Sequence, residues 1–315
     1  MLMALPQKHF ADISMNLTNN TSAAGSLLGL AMSATLLMTV STTRAEDAAP
    51  ATGSVPVPAP IEGKGYHLVK NWDFRSTVTT PEKLREEFFT RFVYNDGTMD
   101  HFNDEWERYG ENKNHVFGTQ GLNLVARVVA DELKNGGIES GMLRSTWSGK
   151  YGYYECSMKV PRGRGLWPAF WLYPADGKGP AEIDVVEIVN NGKDTTHTSF
   201  HFVHTTKTGK KTPITSQLNK WGRYDSPIDY ADDFHTFAVE WTPDVVTHYV
   251  DGQVIVSRNF DWLASSGGEA GPTTVLLNLA VGGKWPQPPQ SKSDFPAELA
   301  VKYIRVWQKE GAPAK

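Results

Sequence analysis

The chain has a single cysteine, Cys156, among its 315 residues. No disulfide can form within it, so stability has to come from a packed core. Positive charge is not in surplus: 31 Lys and Arg face 35 Asp and Glu, whereas a nucleic-acid binder normally carries a basic excess or stripe. Long apolar runs are missing as well. The best, residues 26–40, is too rich in Ser, Gly and Thr and too short to cross a bilayer as a helix, which takes about 20 residues. Helical periodicity is confined to residues 80–92. There Thr80 suits an N-cap, Pro81 suits the first helical position, and Leu84, Phe88 and Phe92 recur on one face.

What is abundant is aromatic: ten Trp, eleven Tyr and fourteen Phe. Flat rings can cover the apolar face of a pyranose, and they equally fill a sheet core. Most of the chain reads as short alternating runs punctuated by Gly, Asp, Asn and Pro, at 122–129, 151–160, 198–202, 236–241, 246–250, 254–258, 275–281 and 300–307. Asp251-Gly252 between two of them is a hairpin signal. Strands at this spacing predict an all-β fold, a sandwich or jelly roll of two stacked antiparallel sheets. Cys156 falls in an alternating run on the inward side, as a small hydrophobe rather than a reactive thiol.

Three segments are expected. Residues 1–45 read as a signal peptide, with an apolar stretch at 26–40 and a cleavage site after Ala45; the protein would then be secreted or periplasmic. Residues 46–64, dense in Ala, Pro, Val and Gly, read as an extended linker without a packed core. Residues 65–315 are even in composition and read as one domain.

The segment Glu182-Ile183-Asp184-Val185-Val186-Glu187-Ile188 carries the chemistry. Polar and apolar residues alternate through Val185 and then slip by one. In a regular strand Glu187 would point away from Glu182 and Asp184, into the core, at a high cost for a carboxylate. One extra residue at Val185-Val186, a β-bulge, resets the parity and brings all three acids to one face. Two simpler readings compete: a solvated charged face, and an oxygen-rich cation site of the Ca²⁺ type. The functional reading is glycoside hydrolysis, in which a retaining enzyme sets an ionised nucleophile against a protonated acid roughly 5–5.5 Å away. An Asp between the two Glu could hydrogen-bond the nucleophile and raise the proton affinity of the acid.

With that strand in view, the chain resembles glycoside hydrolase family 16, in its branch with a bulged E-x-D-x-x-E strand. The likeness extends to Gly152-Tyr153-Tyr154-Glu155, Gly165-Leu166-Trp167-Pro168-Ala169-Phe170-Trp171-Leu172, Phe234-His235-Thr236-Phe237, Tyr249-Val250-Asp251-Gly252, Leu277-Asn278-Leu279-Ala280-Val281-Gly282-Gly283-Lys284-Trp285-Pro286 and Val301-Lys302-Tyr303-Ile304-Arg305-Val306-Trp307, in order. The resemblance implies a jelly roll with a concave substrate cleft. It implies Glu182 as nucleophile, Asp184 as assisting acid and Glu187 as general acid/base. Trp167 and Trp171 fall where the family places aromatic cleft residues, with Pro168 between them leaving open whether one belongs to the core. His201 resembles a family His near the acid/base, its alternative being a structural histidine, and Trp285 would close one end of the cleft.

The resemblance further implies a retaining endo-β-glycanase acting on β-1,3 or mixed β-1,3-1,4 glucan. The alternatives are a galactan of the agar or carrageenan type, transglycosylation at the same site, or a noncatalytic carbohydrate-binding jelly roll, which has no reason to hold three acids on one strand. A polysaccharide is the expected partner, with no nucleic acid, no membrane once the leader is removed, and a monomer. No metal or other cofactor is expected: Lys302 stands where the family often has an Asp that helps bind structural Ca²⁺, and an ammonium repels a cation.

Overall fold

Each alternating run finds its second sheet. The computed structural model describes residues 54–92, 100–110, 112–190, 197–199, 202–203 and 223–311, all within the unit Ala48–Lys315. The expected leader and His201 lie outside these residues. In chain order the strands are β1 (Tyr66–Asp73), β2 (Phe88–Phe89), β3 (Glu107–Tyr109), β4 (His115–Gly118), β5 (Gly121–Val128) and β6 (Ile138–Ser140). They continue as β7 (Met142–Ser145), β8 (Gly152–Lys159), β9 (Leu166–Pro174), β10 (Glu182–Ile188), β11 (His197–Ser199) and β12 (Phe202–Val203). The last are β13 (Arg223–Asp225), β14 (His235–Trp241), β15 (Val245–Val250), β16 (Gln253–Asn259), β17 (Thr273–Val281) and β18 (Ala297–Lys309).

One sheet runs β16-β15-β14-β8-β18-β5-β6-β3, with β1 added to β18 and β4 to β5; we call it the rear sheet. The other, the site sheet, runs β13-β11-β10-β9-β17-β7-β2, with β12 added to β10. Pairing is antiparallel apart from β3 against β6, so the expected pair of antiparallel sheets holds with that one parallel contact. The expected run 198–202 is divided between β11 and β12.

Between the sheets lies a continuous core. Tyr154, Cys156 and Met158 of β8 share it with Phe237 and Val239 of β14, Phe170 and Leu172 of β9, and Leu277 and Leu279 of β17. Full burial of one such aliphatic side chain contributes about 1.5–3 kcal/mol, which is how the fold does without a disulfide. Cys156 is fully buried, and burial pushes its thiol pKa well up, as an inward hydrophobe requires.

Two expectations need correction. The helix α1 spans only Pro81–Glu87; Thr80 caps it, its hydroxyl accepting from the Lys83 amide at 3.4 Å. Phe88 turns extended because it pairs with Ser145 of β7, so a strand partner overrides the 3.6-residue period that Leu84, Phe88 and Phe92 suggest. The linker also ends early. Residues Ala59–Ile61 form a 3₁₀ turn, and Ile61 is fully buried against Tyr153, Ala238, Tyr249 and Trp307 on the outer face of the rear sheet. Proline sets the turn, and Ile61, with Val55 partly buried against the same cluster, supplies the apolar contact.

Candidate active site

The acid strand β10 is bulged where its parity slips. Against β9, Asp184 pairs with Trp171 and Val186 with Phe170, and the register shifts between them at Val185. Val185 and Val186 are both fully buried in the core alongside Ile183 and Ile188. Two consecutive side chains pointing inward are what the extra residue achieves. Glu182, Asp184 and Glu187 thereby line one pocket together.

The floor of that pocket comes from β9 and β17. Trp167, Ala169 and Trp171 line it with Asn278 and Ala280. Both tryptophans face this pocket, since Pro168 pairs with Leu279 and leaves the alternation of β9 intact. Trp167 donates its indole N–H to Glu187 Oε1 at 3.0 Å. Trp285 is 38 % exposed and packs edge-on to Trp167 with ring centroids 4.9 Å apart. It is carried there by a turn at Gly282, whose φ is +77° and where a Cβ would meet the Trp106 ring at 2.7 Å.

The three acids are crowded, and two of them are poorly hydrated. Asp184 and Glu187 are each only 6 % exposed. Burial pushes the Asp184 pKa well above the usual aspartate range, and the Glu182 and Glu187 carboxylates and a hydrogen bond to Glu182 push the same way. Sequence reasoning expects Asp184 to hydrogen-bond the nucleophile and to raise the proton affinity of the acid; in the structure its carboxyl is hydrogen-bonded to Glu182, and its own pKa is raised.

Sequence reasoning missed one wall of the pocket. Phe92, Phe102, Asn103, Glu105 and Tyr109 line it. Phe102 packs edge-on to Trp171 at 5.4 Å and Tyr173 at 5.6 Å, while Glu105 accepts from the Asn103 amide N–H and side-chain amide. Behind the floor runs a buried polar chain. Trp171 Nε1 donates to Asn278 Oδ1 at 2.8 Å, Asn278 Nδ2 donates to the Tyr109 hydroxyl at 2.8 Å, and Glu107 Oε2 accepts from the Val281 amide at 2.7 Å. Burial, reinforced by the charge of Glu105, pushes Glu107 up to about 8. Glu105-Trp106-Glu107 sits in a stretch without clear alternation, so nothing local marks these acids as inward.

Among the described residues no group of three or more His, Cys, Asp or Glu side chains is arranged to hold a metal. Lys302 places its ammonium 4.3 Å from the centroid of the Phe234 ring. That cation–π contact fits poorly with a second cation at the same position.

A profile of Glycosyl hydrolases family 16 matches residues 101–298, more than half of the chain. An endo-1,3-1,4-beta-glycanase of Rhizobium meliloti is 33% identical over 184 residues, 58% of this chain and 36% of that protein. A kappa-carrageenase of Pseudoalteromonas carrageenovora is 33% identical over 192 residues, 55% of this chain and 47% of that protein. The chain thus spans less than half the length of either relative. Among solved structures, the laminarinase catalytic domain from Thermotoga maritima superposes with a TM-score of 0.60 at 28% identity, covering 78% of this chain and 99% of that one.

Proposed function

Because the chain belongs to glycoside hydrolase family 16, we propose that it is a retaining endo-β-glucanase that cuts internal β-1,3 or mixed β-1,3-1,4 linkages by double displacement. The observation that carries this reading is the bulge at Val185, which brings two glutamates and an aspartate with a raised pKa to one aromatic-floored pocket. Glu182 attacks the anomeric carbon and forms a glycosyl-enzyme while Glu187 protonates the leaving oxygen; Glu187 then takes a proton from water, which releases the sugar. Glu187 Oε1 accepts from Trp167, and Oε2 is the oxygen assigned to hand over the proton. Asp184, its pKa raised by burial and its carboxyl hydrogen-bonded to Glu182, orients the nucleophile and eases the charge it develops when the intermediate breaks down. Trp167, Trp171 and Trp285 supply flat faces for sugar rings. His201 is assigned to the acid/base side of the cleft by family likeness alone.

The protein acts in this reading as a monomer, without metal or other cofactor, and outside the cytoplasm as a secreted or periplasmic enzyme. An apolar leader at residues 26–40 and a polymeric substrate support that location. Among the described residues no helix is long and apolar enough to cross a membrane.

A panel of laminarin, lichenan, xyloglucan, agarose and carrageenan, scored for reducing ends and product size, tests the proposal. Release of mixed-length oligosaccharides from laminarin or lichenan is expected. Turnover of agarose or carrageenan alone would favour a second reading, a galactanase with the same site, which the carrageenase relative motivates. Binding to every glycan without turnover of any would overturn both. Product analysis with an acceptor sugar separates hydrolysis from transglycosylation.

A further inference from the structure

The bulge that assembles the acids raises a question of backbone chemistry. An inserted residue breaks the ladder and leaves main-chain groups without their strand partners, and a buried carbonyl lacking a hydrogen bond costs about 1–3 kcal/mol. The register of β10 against β9 slips between Asp184 and Val186. The Asp184 carbonyl there is taken by a group from the opposite sheet: His248 of β15 approaches with Nε2 at 3.0 Å from the oxygen. A carbonyl only accepts, so Nε2 carries the hydrogen.

His248 is fully buried, in an inward slot between Val246 and Val250 that β-strand parity would give to an apolar side chain. It also stands at an irregularity of its own. The register of β15 against β16 shifts between His248, opposite Val256, and Tyr249, opposite Val254. Two breaks in regular pairing therefore meet back to back across the core, joined by one side-chain hydrogen bond. On the far side of the same residue, the Asp184 side chain lines the pocket and touches Glu182. Any rotation of the Asp184 peptide is felt at the carboxylates, because Glu187 follows three residues later on the same bulged segment.

We propose that His248 is a positioning residue of the active site: its Nε2–H holds the Asp184 carbonyl toward the core and so sets how Asp184 and Glu187 are aimed into the cleft. The consequence for activity rests on the glucanase reading above; the bond and its effect on the backbone do not.

The test uses the full chain with His248→Phe, which keeps ring bulk and removes the donor, and His248→Gln, whose side-chain amide can donate again. Below the melting temperature, His248→Phe is expected to lower kcat on β-glucan roughly tenfold to a hundredfold, the scale of a misplaced reacting group. KM should stay within about threefold, since the sugar platforms are untouched, and His248→Gln should recover most of the loss. A crystal structure of His248→Phe is expected to show the Asp184 peptide turned, and the imidazole ¹⁵N spectrum of the unmodified protein should show the Nε2–H tautomer. An unprotonated Nε2, an unmoved Asp184 peptide, a kcat unchanged in His248→Phe, or a His248→Gln no better than His248→Phe would each overturn the proposal. If the unmodified protein cleaves no β-glucan, the glucanase reading fails, and the tautomer and the crystal structure alone decide the role of His248.

Discussion

The two outer faces of the sandwich use the same ingredients to opposite effect. On the rear sheet, Glu240, Glu155 and Asp73 each meet hydrogen-bond donors. Glu240 accepts from Lys64 at 2.9 Å, from Tyr66 at 3.1 Å and from Tyr249 at 3.0 Å. Glu155 accepts from the Trp307 indole at 3.1 Å. Burial would raise Asp73, yet the Arg75 hydrogen bonds and charge, with Arg305 beyond, hold it below the usual aspartate range. On the site sheet, three carboxylates face one another instead, and burial together with the Glu182 and Glu187 charges raises the pKa of Asp184. A matched carboxylate holds structure together; crowded ones store the protonation asymmetry that acid–base chemistry needs.

The largest effect expected from breaking this contrast is at Glu182. Glu182→Gln should lower kcat on the order of 10⁴-fold, and Glu187→Gln roughly 10²–10⁴-fold, both with melting temperatures near that of the unmodified protein. On the rear face the reverse holds. Ile61→Ala empties the contact that docks residues 59–61 and should cost about 2–5 kcal/mol of stability, measured by denaturant unfolding, with kcat unchanged. A large loss of kcat there would erase the distinction between the faces.

Asp184→Asn sharpens it. The folded protein raises the pKa of Asp184 above its ordinary value of 3.8. The unmodified protein therefore has its full share of stability from this group below about pH 3.8 and loses it as pH rises through the raised value. The Asn variant has no such loss. It should be less active but more stable by about 0.5–2 kcal/mol at neutral pH, with the advantage vanishing in acid; thermal melts at pH 3.5 and 7.5 read this directly. The smallest effect is expected from Tyr109→Phe. It removes the hydroxyl's two hydrogen bonds, to Asn278 and Glu107, each worth about 0.5–1.5 kcal/mol, and should raise KM a few-fold with kcat nearly constant in steady-state assays.

Much of this was legible in the residues. The slip at Val185-Val186 is a local parity error that a single bulge resolves, so the acid strand could be read from seven residues. Trp167 and Trp171 keep one face because Pro168 pairs normally with Leu279. The wall built from Phe92, Phe102 and Glu105 was not legible, since it depends on loops folding over the sheet rather than on strand period. Helix α1 was read too long for a related reason: a partner strand distant in sequence decides what Phe88 becomes. His248 did leave a signal, a histidine in an inward apolar slot between Val246 and Val250, but its partner is 64 residues away.

We propose that the bulged strand runs a double displacement through Glu182. The most direct measurement is the anomeric configuration of the first product, followed by ¹H NMR in the opening minutes of β-glucan hydrolysis before mutarotation. The new reducing end is expected to appear as the β-anomer and then equilibrate. An α-anomer appearing first would mean a single inverting attack by water, and Glu182 could not be the nucleophile.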